Sequence, residues 1–171
     1  MYLLPDLLLH NAWANRRVFE SFASAPHVLD VICYDGKPLL TRLQHQVGTE
    51  RAFLDVFRGE PKRPAPPATL TELLAYDSET ASAIELIVTT NGEAGQSRSY
   101  MVPWWKLELP LRVLVLQVIA HSAQHRSELA WELARAGVST GELDFIRWVA
   151  GGRPYPGEVP SLPADLSGGG G

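Results

Sequence analysis

Residues 121–129 read HSAQHRSEL in a chain of 171 residues. Histidines four positions apart in a helix stand one turn apart on the same face, so two imidazoles can converge on one ion. No glutamate follows the first histidine, which excludes the H-E-x-x-H metalloprotease pattern. At about 100° per residue, Leu111, Leu114, Val115, Val118, Leu129 and Leu133 share one sector of a helix, and His121 and His125 fall in the same sector. Both rings are expected to point inward, where unsatisfied polar groups are costly. One metal ion would satisfy both, and so would separate hydrogen bonds to backbone carbonyls or hydroxyls.

A metal would need a further ligand, and three histidines remain: His10, His27 and His45. His27 follows Pro26 in a connector and reads as a surface residue. His10 lies towards the edge of an apolar helical stripe and reads as a packing residue or a partly exposed tip. His45 stands opposite the stripe of Leu43, Val47 and Leu54. Its own face carries Thr41, Gly48, Thr49, Ala52 and Val56, which is small and weakly polar where a solvated face would carry Lys and Glu. Such a face suits a cavity wall with His45 reaching into it; an exposed histidine is the plainer alternative.

The elements that must position these residues are mostly helical. Leu7, Asn11, Ala14, Val18 and Phe22 give a helix over 6–25. A connector over 26–37 carries the turn signal YDGKP. Pro38 suits the first turn of a second helix that runs to about Arg58. The proline-rich stretch 59–68 reads as a surface linker. TLTE at 69–72 is a capping box opening a third helix to about Ile87. Residues 88–103 include Asn91-Gly92 and SYMV, which suggest a short hairpin or an extended excursion. A fourth helix covers about 107–136, its regular part starting near Pro110, and ends at Gly137. STGELDFIRWVA gives a short fifth helix capped by Ser139 or Thr140. The expected fold class is an all-α four-helix bundle with that fifth helix, in one domain over 1–150, followed by a Pro/Gly-rich tail over 151–171.

Composition bounds the function. Hydrophobic residues make up 46% and charged residues 20%, as in ordinary globular proteins, and the net charge of −4 offers nothing to nucleic acid or an anionic membrane. No apolar run is long enough to span a bilayer. The opening MYLLPDLLLHNAW lacks a basic region and a cleavage site, so it reads as part of the fold and not as a signal peptide. The single cysteine, Cys33, excludes an intramolecular disulfide, fits a reducing cytoplasm, and reads as a small apolar filler.

Several separated stretches together resemble the DinB-like family of metal-dependent four-helix-bundle proteins. HNAWANRRVFE at 10–20 is similar to the family's opening Trp-Ala-Asn-x-Arg helix, with His10 where an aromatic residue is more usual. LQHQVGTERAFL at 43–54 resembles its second helix, whose histidine is a ligand. Residues 102–149 resemble the Pro-Trp approach, the H-x-x-x-H-R ligand helix and the closing Leu-Asp-Phe segment. The resemblance covers about 1–150. It implies an up-down-down-up bundle, often paired into a homodimer, with a divalent metal held by His45, His121 and His125 and water in the open positions.

Three neutral imidazoles leave an ion its full charge and free coordination places, as in catalytic sites. All-nitrogen ligation suits zinc or nickel foremost, with copper or iron as alternatives. Family members of understood activity are thiol-dependent S-transferases or isomerases, so the resemblance implies a small-molecule substrate and a low-molecular-weight thiol, in a detoxification role. A hydrolase using activated water and a non-catalytic metal-binding stress protein are the alternatives. No general base is evident: Glu50, Asp55 and Glu128 lie near the ligands in sequence without a fixed direction. Trp104, Trp105 and Trp131 are candidates to line a pocket, with core packing as the alternative. Gln124 and Arg126 adjoin the ligands but have no ligand position on the wheel.

Overall fold

The computed structural model describes residues 3–60 and 65–153. Four long helices, α1 (Leu3–Ser24), α2 (Leu39–Phe57), α3 (Leu70–Gly95) and α4 (Leu111–Arg135), pack against one another. A two-stranded antiparallel sheet, β1 (Ser99–Val102) and β2 (Leu107–Pro110), precedes α4, and the short α5 (Phe145–Ala150) follows it. Helices α1 and α2 each lie against both α3 and α4. None of the described helices is long and apolar enough to cross a membrane.

The ends of the helices follow from their sequences. Pro38 and Pro110 stand immediately before α2 and α4, where a missing N–H costs no helical bond. The Thr69 hydroxyl accepts from the Glu72 N–H at 3.3 Å, as the capping box requires. The reciprocal arm differs: Glu72 Oε2 accepts from the Thr69 hydroxyl at 2.7 Å. Gly137 follows α4 at φ +80°, a conformation open to glycine.

Three expectations need correction. Helix α3 continues past Ile87 to Gly95, with Gly92 at φ 59°, ψ −168° breaking its regularity, so Asn91-Gly92 kinks a helix and does not turn a hairpin. The hairpin lies later, with Ser99 opposite Pro110 and Val102 opposite Leu107. Its turn holds Trp104 and Trp105 and closes with Lys106 at φ +55°. The fifth helix begins only at Phe145, after Asp144, so neither Ser139 nor Thr140 caps it; the Ser139 hydroxyl instead accepts from the Gly141 N–H at 3.1 Å. Of the tail over 151–171, residues 154–171 lie outside the described residues.

The interior has two apolar ends and a polar middle. At one end Leu8, Phe53, Leu54, Ile84, Leu111 and Leu114 are buried together. At the other, Phe19, Phe22, Leu39, Leu43, Leu73 and Leu129 are. Between these levels α1 buries Asn11 and Asn15, α2 buries Gln46 and Glu50, α3 buries Asp77, and α4 buries Ser122 and Arg126. The stripe from Leu111 to Leu133 is buried as its spacing predicts, but at this level its inward positions are Ser122 and Arg126. His121 and His125 are half-buried at its margin, not central in the core.

Candidate metal centre

His45 projects from α2, and His121 and His125 from the facing side of α4. Their Nε2 atoms meet: His121 lies 3.3 Å from His45 and 3.2 Å from His125. Metal–nitrogen bonds of about 2.0–2.1 Å, at angles between a right angle and tetrahedral, set ligand nitrogens about 2.8–3.4 Å apart. Both spacings fall in that range, and the ligand atoms of all three rings lie within 4.8 Å of one another. Hydrogen bonding alone serves the three nitrogens less well. A neutral imidazole has one N–H, and that of His121 can reach only one of its two neighbours at a time.

The protonation pattern agrees with ligation. His125 Nδ1 lies 3.0 Å from Glu128 Oε2, so its ring proton donates to the carboxylate and its Nε2 lone pair is left towards the other rings. Arg42, itself buried, donates to the same Glu128 oxygen and pairs with Asp35 at 2.9 Å. Burial opposes ionisation of Glu128, but the hydrogen bonds from Arg42 and His125 prevail and hold its carboxyl below the ordinary range. For His121, burial and then the neighbouring rings of His125 and His45 push the pKa down to about 4, so its lone pair is free at neutral pH. Its Nδ1 is buried with no hydrogen-bond partner among the described residues, so its polar contacts are made through Nε2.

Behind this group lies the polar layer. Glu50 Oε1 accepts from the Ser122 hydroxyl and from Asn15 Nδ2 at 3.0 Å, and Asn15 Nδ2 also donates to Asp77 Oδ1 at 3.0 Å. Asn15 Oδ1 accepts from Gln46 at 2.8 Å and from Arg126 at 2.8 Å. Burial, then proximity to Glu50, raises the Asp77 carboxyl well above its usual range. Burial lowers Arg126 to about 10, against the attraction of Glu50 and Asp77, which leaves it charged at neutral pH.

In front of the group is a cleft of about 460 Å³, within the ordinary range for small-molecule sites. His45, Thr41, Gly48, Thr49 and Ala52 line its α2 side, as the weakly polar face of that helix suggests. Val56 does not take part; it is buried in the apolar core. Trp104 and Trp105 close the cleft from the hairpin turn with Phe53 beside them.

No protein-family profile matches the chain, and no curated protein matches it.

The remaining sequence candidates separate cleanly. His27 is exposed. His10 is far from the centre: its Nε2 donates to the Leu143 carbonyl at 2.8 Å, and its ring packs among Trp13, Phe145 and Trp148. Asp55 pairs with Arg51 at 3.5 Å. Gln124 reaches Glu128 at 3.4 Å. Trp131 is 67% exposed and lines a different cavity, so it belongs neither to the core nor to the cleft. Cys33 is buried, and burial raises its thiol pKa, which disfavours a nucleophile. The role of Glu128 was open to sequence reasoning, since it follows His125 by three residues and shares its face. Its clamp by Arg42 was not, because 86 residues separate the two.

Proposed function

We propose that the chain is a DinB-like metal-dependent enzyme built as an up-down-down-up four-helix bundle. His45, His121 and His125 hold a divalent transition metal, zinc or nickel foremost. The observation that carries this reading is the meeting of the three rings, with His121 Nε2 3.3 Å from that of His45 and 3.2 Å from that of His125, and with the His125 ring oriented by Glu128. An ion held there would lower the pKa of a coordinated thiol or water and polarise a carbonyl. The cleft gives a small molecule access to His45 and His121, which supports a catalytic centre over a closed structural one.

The reaction we favour is S-transfer from a low-molecular-weight thiol. RS–H and R′–X give RS–R′ and H–X: the S–R′ bond forms as R′–X breaks, and the thiol proton leaves with X. Glu128 and Arg42 fix the His125 ring and its tautomer, and the two tryptophans shield one side of the cleft from water. A hydrolase on a neutral ester or amide is the second reading. It is favoured by the lack of any charged side chain among the described cleft residues to recognise an anionic thiol. Turnover that needs no thiol would select it. We also propose a homodimer, supported by the outer face of α4. There Val113, Leu116, Ala120, Gln124, Ser127 and Trp131 are all exposed and uncharged.

The deciding experiment is elemental analysis of untagged protein purified without nickel resin or chelator, beside a His45→Ala/His121→Ala control. About one transition metal per chain, lost in the control, is the expected result. Protein that arrives empty and binds neither zinc nor nickel on addition would end the metal reading.

A further inference from the structure

We infer that the cleft beside the three histidines selects an uncharged, planar aromatic group, so that the electrophile or ester it serves is a neutral aromatic molecule. The inference rests on the reading of the cleft as the working chamber of the metal centre, and it specifies the substrate class that this reading leaves open.

The first ground is the wall. Phe53, Trp104 and Trp105 meet with ring centroids 5.6–6.2 Å apart and planes inclined by 55–79°, so the three rings cluster without stacking face to face. Trp105 remains 45% exposed at the cleft although two other rings pack against it. A large aromatic surface left open in a concavity is what a flat apolar ligand covers. On the α2 side, Gly48 and Ala52 carry almost no side chain, and Pro66 stands 3.7–3.8 Å from where a Gly48 side chain would begin.

The second ground is charge. The polar groups around the cleft are Thr41, Gln44, Thr49 and Gln117, all neutral, beside the imidazoles; no Asp, Glu, Lys or Arg lines it among the described residues. The cations of α2 are committed elsewhere, Arg42 to Glu128 and Asp35, Arg51 to Asp55 and Glu79. With no ion on the histidines, a charged substituent entering the cleft would shed water and meet no counter-charge among the described residues, whereas hydroxyls and carboxamides can serve an ether, alcohol or carbonyl.

The test compares naphthalenemethanol with naphthalenesulfonate, which have the same ring and differ in charge, by titration calorimetry on zinc-loaded and on chelator-treated protein. The neutral probe should bind at least about tenfold tighter to the chelator-treated protein, and zinc should narrow that margin by attracting the sulfonate. Trp105→Ala, at a half-exposed position, should weaken the neutral probe by about tenfold or more. Thr41→Arg should narrow or reverse the preference by supplying the missing cation. Equal or tighter binding of the sulfonate by the chelator-treated protein, no binding of either probe, or no effect of Trp105→Ala would overturn the inference. Because the preference is read with and without zinc, a chain that binds no metal yet keeps it defeats only the metal reading. A zinc-binding chain whose chelator-treated form lacks the preference defeats only this one.

Discussion

Glu128 offers the sharpest test of whether the three rings are arranged for metal. It is not a ligand, yet its carboxylate accepts the His125 Nδ1 proton at 3.0 Å and is anchored by Arg42. Substituting a carboxylate that orients a metal-bound histidine typically weakens metal binding about 10–100-fold, or about 1.4–2.7 kcal/mol. Glu128→Ala should fall within that range, since it removes the acceptor and leaves Arg42 with Asp35, Tyr34 and Cys33. Glu128→Gln keeps an acceptor oxygen of the same reach but loses the charge. Because charge-assisted hydrogen bonds are about twice as strong as neutral ones, it should recover about half of that free energy. Competition for zinc against a chromophoric chelator reads both variants, with His45→Ala as the control that removes a ligand. The expected order of affinity is unaltered protein, Glu128→Gln, Glu128→Ala, His45→Ala. Glu128→Ala binding zinc as tightly as the unaltered protein, while His45→Ala loses it, would refute the orienting role.

Zinc at about 100 times its dissociation constant should stabilise the chain by about 2.7 kcal/mol, a rise of about 5–10 °C in Tm for a protein of this size, and a chelator should reverse it; differential scanning calorimetry measures both. Burial, partly offset by the bond to Leu143 O, lowers the pKa of His10 from 6.5. The unfolded chain therefore takes up this proton at a higher pH than the folded one, and stability contributed by neutral His10 is lost as pH falls through 6.5. His10→Gln should accordingly show a shallower decline in Tm on acidification than the unaltered protein, and a parallel decline would refute the assignment. Arg126→Met strips the polar layer of its buried cation and leaves Asn11 and Asn15 short of a donor, so a loss of about 3–5 kcal/mol is expected in urea unfolding. Leu116→Glu on the outer face of α4 should shift sedimentation from dimer to monomer with little change in zinc affinity.

The sequence was most informative where local chemistry decides the outcome. Proline before α2 and α4, the Thr69–Glu72 cap and Gly137 after α4 mark helix ends through bonds made within a turn. The face of His45 was readable because small uncharged residues on a helix suit neither core nor solvent. The misplaced hairpin shows the limit. Asn91-Gly92 has hairpin chemistry, but α3 continues through it, while the actual turn holds two tryptophans and a lysine at φ +55°. That conformation is set by packing of the tryptophans on Phe53, which lies about fifty residues earlier in the chain. On α4 the difference is of another kind: the wheel sets His121 and His125 in the sector of the leucine stripe, whereas they stand at its margin and Ser122 and Arg126 take the buried positions. Ser122 in fact falls near the middle of that sector, and only its partners on α1 and α2 explain why a hydroxyl is stable there.

Those partners also account for how the histidines come to be aligned. On α2, His45 adjoins Gln46, and on α4, His121 adjoins Ser122 and His125 adjoins Arg126; in each pair one residue joins the three-histidine group and the next enters the buried network. A helix turned by one residue would move its face by about 100° and strand Gln46, Glu50, Ser122 or Arg126 against an apolar neighbour. Apolar contacts alone tolerate small rotations, because leucines repack, whereas hydrogen bonds of 2.8–3.0 Å between four helices do not. The layer thus fixes the rotation of α2 and α4 before any ligand arrives, which makes it a determinant of the ligand geometry. On this account Arg126→Met should weaken zinc binding even though Arg126 touches none of the three imidazoles. Under conditions where the variant remains folded, unchanged zinc affinity would mean that the histidines are held by the α2–α4 packing and the Glu128 clamp alone.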